Sequence, residues 1–253
     1  MRLLFVLILL SVFTSATAQD KKINNTTQLW SETDFIGKIN NRWKWQVDLQ
    51  YSSQSPYEEL NLFQFNSQAT IRPWLHYFIT KDIRLSAFAG EWYNFAITEV
   101  GAREYPEYRT ALQLSIYNRG TLSTIHDRFR IEFRDMQDRH GAFEMVLRGR
   151  YMFKYQRLIK HTTYDKNSMY CIAFNEFFVN GGSAVTGVHL FDQNRLFAGI
   201  GYDFTDDITV ETGYFNQLQQ HAHDNNFDMN HIWQLSLIVD NIRFKHNKVK
   251  GNS

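Results

Sequence analysis

The segment from Asp127 to Arg134 reads D-R-F-R-I-E-F-R and repeats with a period of two. Phe129, Ile131 and Phe133 fall on one side; Arg128, Arg130, Glu132 and Arg134 fall on the other. Successive side chains of a β-strand point to opposite faces, so this is a strand with one apolar and one ionic face. The following segment does the same, with Phe143, Met145, Leu147, Tyr151 and Phe153 opposing Glu144, Arg148, Arg150 and Lys154. A large aromatic face backed by a ladder of ion-pairing groups suits a membrane β-barrel, with lipid outside and a wet or salt-bridged interior.

Similar alternation recurs along the chain. Trp43, Trp45, Val47, Leu49 and Tyr51 alternate with Arg42, Lys44, Gln46, Asp48 and Gln50. Phe63, Phe65, Ala69 and Ile71 alternate with Gln64, Asn66, Gln68, Thr70 and Arg72. Further strands are expected around Tyr108–Ile116, Arg195–Phe204 and Ile208–Gln217, and less cleanly at Leu29–Ile36, Ile83–Phe95, Met169–Val179 and His231–Phe244. Each can supply the ~9–11 residues that a tilted strand needs to cross a bilayer. Short connections (Gly37–Asn41, Thr80–Asp82, Asn118–Thr121, Thr205–Asp207) alternate with longer ones (Ser52–Leu60, Thr98–Tyr105, Asn180–Asp192, Gln219–Asn230), as in outer-membrane barrels. Met136–Ala142 is short for an outer loop and Arg157–Asn167 long for a turn. The expectation is an all-β, single antiparallel up-and-down transmembrane barrel of ten to twelve strands. Eleven segments can be counted, whereas bacterial single-chain barrels have an even number. In the last strand, Trp233, Leu235, Leu237 and Val239 lose register before Ile242, which predicts a bulge at Asp240-Asn241. A polar tail, Lys245–Ser253, follows.

The first residues read as a targeting signal. Arg2 precedes the apolar run Leu3–Val12, and Ala16-Thr17-Ala18 offers an A-x-A cleavage site with Gln19 as the mature N-terminus. That run is too short to span a bilayer core of ~30 Å. The domain organisation expected is a signal peptide over 1–18 and a barrel domain over 19–253, in the outer membrane of a Gram-negative bacterium. Aromatic residues make up 16% of the chain, enough for girdles at two membrane interfaces. Cys171 is the single cysteine, so no internal disulfide forms. A net charge of +1 gives no reason to expect nucleic acid.

The order of several motifs resembles a family of outer-membrane proteins catalogued as domain of unknown function 2490. The motifs are W-K-W-Q-V-D-L-Q-Y at Trp43–Tyr51, R-F-R-I-E-F-R at Arg128–Arg134, R-G-R-Y at Arg148–Tyr151 and N-E-F-F-V-N at Asn175–Asn180. F-D-Q-N-R-L-F-A-G-I-G-Y at Phe191–Tyr202 and E-T-G-Y-F-N-Q at Glu211–Gln217 complete them. The resemblance implies a fold and a location. It brings no activity, so no catalytic residue is carried over from it.

The candidate functional residues are those that parity points into the lumen. They are Arg109, Arg128, Arg130, Arg134, Arg148, Arg150 and Arg195, with Glu132, Glu144, Glu176 and Glu211 as the chief acids. Guanidinium–carboxylate forks can fill a narrow barrel with their hydrogen bonds satisfied, and Arg128, Arg130, Arg134, Arg148 and Arg150 are then each expected to reach a carboxylate across the lumen. Alternatively the arginine excess lines a narrow, porin-like passage for small anionic solutes. The third open reading is an enzyme acting on lipid or glycan, although no enzymatic activity, cofactor or metal is expected. His221, His223 and His231 with Asp224 read as a polar external loop, with metal binding the lesser alternative. Ser123, His126 and Asp127 are the right types for a nucleophilic relay, but parity puts His126 opposite the other two. Gly199 and Gly201 are expected to face inward and leave room for Phe197 or Phe215. Expected partners are outer-membrane lipid, the barrel-assembly machinery and a small anionic solute.

Overall fold

A computed structural model describes residues 22–138, 140–160, 167–183, 185–222 and 224–242. The signal segment 1–18, Gln19, His223, Phe244 and the tail Lys245–Ser253 lie outside the described residues. Eleven strands follow one another: β1 (Ile23–Lys38), β2 (Trp43–Gln54), β3 (Phe65–Phe78), β4 (Ile83–Asn94), β5 (Tyr105–Arg119), β6 (Ser123–Gln137), β7 (Phe143–Lys160), β8 (Met169–Asn180), β9 (Phe191–Asp203), β10 (Ile208–Gln220) and β11 (Phe227–Ile242). A single 3-10 turn, Thr98–Val100, is the one helical element among the described residues.

Each strand pairs antiparallel with the next, and β1 pairs with β11 to close the barrel. That closing pair is parallel, Ile23 facing Phe227 and Phe35 facing Val239. The parallel seam is a direct result of the odd strand number, because the first and last strands of an odd meander run the same way. It resolves the mismatch between eleven segments and an even count. One rim carries the short turns 39–42, 79–82, 120–122 and 204–207; the other carries the longer loops and the short β6–β7 connection. Three short turns share one device. Asn40 Oδ1 accepts from the N–H groups of Arg42 and Trp43. Thr80 Oγ1 does so from Asp82 and Ile83, and Thr205 Oγ1 from Asp207 and Ile208. A short side-chain oxygen thus takes the place of a backbone acceptor where the chain reverses.

Parity decides which side chains face out. Phe129, Ile131 and Phe133 are exposed on the outer wall while Arg130, Glu132 and Arg134 are buried inside. The outer wall continues through Leu49, Leu75, Leu112, Met145, Leu147, Leu196, Trp233 and Leu235, all exposed. Outward aromatic residues gather towards both rims. Trp43 packs on Tyr77 and Tyr202 on Phe204 near the short turns, and Tyr108 on Phe143 near the long loops.

The interior differs from a purely ionic lumen. Trp74, Phe88, Trp92 and Ala111 form one apolar cluster on β3–β5. Leu158, Tyr170, Ile172, Phe197, Phe215 and Ile232 form a second on β7–β11, with Trp30 and Phe174 against it. The inward glycines make room for these rings. A Cβ on Gly199 would sit 2.5 Å from the Thr212 carbonyl oxygen and 2.6 Å from the Phe197 ring. Tyr170, Gly201 and Glu211 lie in one row across three strands. Tyr170 lays its ring over Gly201 and donates its hydroxyl to Glu211 at 2.9 Å.

Some local expectations need correction. β1 begins at Ile23 rather than Leu29 and β11 at Phe227 rather than His231, because each supplies the other's hydrogen-bonding partner at the seam. The inner and outer sets are reversed before Gln68. A bulge against Ser52 and Ser53 puts Gln68 and Asn66 opposite consecutive β2 residues, so Ser67 is the extra residue. Asn66 therefore lies outside and accepts the Tyr51 hydroxyl, while Phe65 pairs with buried Gln54. The bulge expected near Asp240-Asn241 is present. Gly37 pairs with Ile242 only two residues after Phe35 pairs with Val239, and Asn241 has φ 59°.

Filling the space above Gly201 should cost about 1–3 kcal/mol by overpacking. Gly201→Val is therefore expected to lower the unfolding midpoint in urea. Tyr170→Leu vacates the same space, so the double variant should lose less than the sum of the two single changes.

Candidate functional site

The charged ladder rises from the register of β5 to β8. Arg130 lies directly opposite Arg150, and Arg109 directly opposite Arg134. Like charges facing each other across a strand pair repel. Each pair is bridged by a glutamate two residues along, on the same face. Glu132 is fully buried and takes Arg130 at 3.1 Å, Arg148 at 2.5 Å and Arg150 at 2.5 Å. Glu107 takes two forks, from Arg109 and Arg134, both with Nε at 2.5 Å. Glu176, from β8, extends the chain by holding Arg128 at 2.6 Å and Arg150 at 2.9 Å. Arg148 reaches Asp192 at 3.2 Å. Such charge-assisted forks are the strong class of hydrogen bond, and their geometry fixes both partners.

All five expected ladder arginines thus reach a carboxylate. The contacts run along the wall, between strands near one another, rather than across the lumen. Two expected acids have other places. Glu211 accepts from Tyr170 near the short-turn end, with Lys154 Nζ at 4.0 Å. Glu144 lines the vestibule under the long loops. Arg195 pairs in register with Glu176 but makes no ion pair among the described residues; its Nε donates to Gln217 at 3.1 Å. Its guanidinium stands over Phe178 and Trp30, at 4.8 and 5.0 Å from the ring centroids.

Sequence reasoning missed Glu107, Asp192 and the opposite wall. Glu107 shares the parity of Arg109, which was a usable signal. On β1–β3, the ligand oxygens of Glu32, Asp34 and Asp48 lie within 4.8 Å of one another. Arg72 pairs with both Glu32 and Asp48, the latter at 3.3 Å, and Trp74 donates to Asp48 at 2.7 Å. The guanidinium thus answers two of the three carboxylates, while the buried Asp34 Oδ1 has no hydrogen-bond partner among the described residues.

Three cavities stack along the axis. A vestibule of about 730 Å³ lies under the long loops. A middle chamber of about 400 Å³ follows, and a lower one of about 480 Å³ opens towards the short turns. Trp30, Gln50, Arg72, Arg150 and Arg195 line both lower chambers and make the waist between them. The β4–β5 loop folds over the mouth, burying Ile97 against the middle chamber.

The remaining candidates separate in space. His231 faces outward and meets the Tyr214 hydroxyl at 2.5 Å, away from His221. His221, just after β10, binds Asp228 at the start of β11 at 2.9 Å and Asp224 in the loop between them at 3.2 Å. Asp127 faces outward and accepts the Tyr151 hydroxyl at 2.7 Å, whereas His126 faces the lumen and stacks on Tyr117. The Ser123, His126 and Asp127 trio is therefore split between the two faces.

Fold and site together define a closed β-barrel with an ion-paired interior. Residues 27–228 match the family described as "Protein of unknown function (DUF2490)". The chain belongs to that family. No curated protein and no solved structure matches it.

Glu132→Ala would leave three buried guanidinium groups facing one another. Losing one partner of a buried pair costs about 3–5 kcal/mol, so a large fall in unfolding free energy is expected in denaturant titration. His221 gives a pH-dependent signal. Burial alone would lower its pKa, but hydrogen bonds and charge from Asp228 and Asp224 outweigh this and raise it. Its stabilising contribution is complete below the ordinary histidine value of about 6.5 and is lost as pH rises through the raised value. In an NMR titration, Asp228→Asn should bring His221 back down towards that value.

Proposed function

We propose that this chain is an outer-membrane β-barrel of a Gram-negative bacterium whose interior is filled and does not conduct ions. Glu132 carries the proposal. It is fully buried, and all three of its arginine partners are themselves engaged inside the wall. A water-filled pore would leave such groups hydrated; here Glu132, Arg130 and Arg148 are buried, with the rings of Trp74 and Phe178 against the guanidinium groups. The outer wall supports the membrane setting. Contiguous exposed apolar surface of this extent is unusual for a soluble monomer, whereas lipid covers it in a transmembrane barrel. Aromatic pairs near both rims fit the two interfaces. In this reading outer-membrane lipid is the permanent partner and the barrel-assembly machinery the transient one. The lumen serves as a scaffold that holds the long loops and vestibule at the cell surface.

Fractionation of cells expressing the full chain tests the location, with recovery in the outer membrane expected. The folded barrel should also migrate faster on gels unheated than boiled. Protein inserted into planar bilayers, with insertion verified by that mobility shift, should give no steady conductance. Stable anion-selective steps would replace the filled reading with a narrow channel, and soluble periplasmic recovery would end the membrane reading.

A further inference from the structure

The middle chamber has an unusual lining. Arginines enter it from β3, β5, β6, β7, β9 and the β4–β5 loop, yet Glu107 is the one carboxylate among its lining residues. Glu107 is already shared by Arg109 and Arg134. Arg72, Arg148 and Arg150 are committed to carboxylates at the chamber's edges. Two cations remain. Arg195 has a single hydrogen bond, from Nε, and no ion pair among the described residues. Arg103 packs its guanidinium 4.7 Å from the Tyr105 ring centroid and likewise has no ion pair among the described residues. Both line this one cavity.

The rest of the lining is amide, hydroxyl and indole. Gln217 donates to Gln193 and Gln219, at 2.9 and 3.1 Å, forming a relay beside Arg195. Trp30 and Trp92 also line it, with the guanidinium groups of Arg195 and Arg109 standing over their rings. Guanidinium forks recognise carboxylates, and amides exchange hydrogen bonds with hydroxyls. The cavity of about 400 Å³ stands at the small end of ligand pockets, enough for one or two sugar units. Access comes from the vestibule, since Arg103, Tyr105, Arg134 and Arg148 line both spaces.

We propose that the middle chamber binds a small hydroxyl-bearing carboxylate of the hexuronate type, its carboxylate held by Arg195 at the waist and its hydroxyls by Arg103 at the vestibule end, through which it enters. This rests on the filled-barrel reading only in making the chamber a dead end. The anchoring cations and cavity are independent of it.

Calorimetric titration of the detergent-solubilised full barrel tests the proposal, with galacturonate and glucuronate as probes and glucose and inorganic phosphate as comparisons. At least one hexuronate should bind, and glucose should not. Arg195→Gln and Arg103→Gln should each weaken binding about tenfold, the loss of one charge-assisted hydrogen bond. Arg103 stands in a loop, so its variant keeps the test meaningful even if Arg195→Gln fails to fold. Absence of binding by both hexuronates overturns the site. So does binding that neither variant weakens. Phosphate binding as tightly as the hexuronates overturns the ligand class. Conductance in bilayers would overturn the filled barrel while leaving the titration readable, so the two failures are distinguishable.

Discussion

Charge placed behind a closed sheet has to be answered at close range, and that requirement shapes the interior. The ladder puts arginine opposite arginine at two places, Arg130 with Arg150 and Arg109 with Arg134. Neither pair is tolerable alone in a low-dielectric interior. Glu132 and Glu107 each answer a pair, and Glu176 ties Arg150 to Arg128. These carboxylates are most of the way to complete burial because the guanidinium groups wrap them. The rings of Trp74, Trp92 and Phe178 then cover the guanidinium faces, within 5.0 Å of Arg130, 3.9 Å of Arg109 and 4.3 Å of Arg150. Ion pairs set the register of the wall, and aromatic residues seal it.

The fold was largely legible because alternation has a direct physical meaning. In β6 and β7, Phe129, Ile131, Phe133, Met145 and Leu147 are exposed while Arg130, Glu132, Arg134 and Arg148 are buried, in step with the alternation. Reading failed where alternation lapses. β1 carries Ser31, Glu32, Thr33 and Asp34 in succession, polar on both faces, so its acids gave no sign of their side. At Ser67, one extra residue reversed the faces inferred for the residues before Gln68, since a single slip in a period-two pattern exchanges the faces. For the site, the arginines were visible from parity, but their partners depended on which strands are neighbours. Asp192 reaches Arg148 from the start of β9, where a bulge interrupts the pairing with β8, a contact that no linear pattern encodes.

The interior is divided by chemistry as well as by height. Apolar clusters occupy β3–β5 and β7–β11, while the glutamates and arginines concentrate along β5–β8. The acidic group on β1 and β2 faces the lower chamber, whereas the middle chamber sees arginines with a single carboxylate. One lumen thus offers two electrostatic environments separated by a waist of Trp30, Gln50, Arg72, Arg150 and Arg195. The family match and closed fold set the class of this barrel; that separation gives this chain its particular chemistry.

The parallel seam bears on how such a molecule comes together in time. Every other strand pair joins neighbours in sequence and can form as the chain is laid down. The β1–β11 pair links residues 204 positions apart, as in the hydrogen bond from Asn24 to Asp228. Loop-closure entropy makes it the most demanding contact to form, and parallel ladders are slightly less stable per residue than antiparallel ones. Before it closes, the sheet has two free edges whose unpaired backbone groups invite a foreign strand. The final step of folding is therefore also the step at which the two edges must find each other before another chain does. A partner that shields β1 or β11 until closure would act at the molecule's most vulnerable moment.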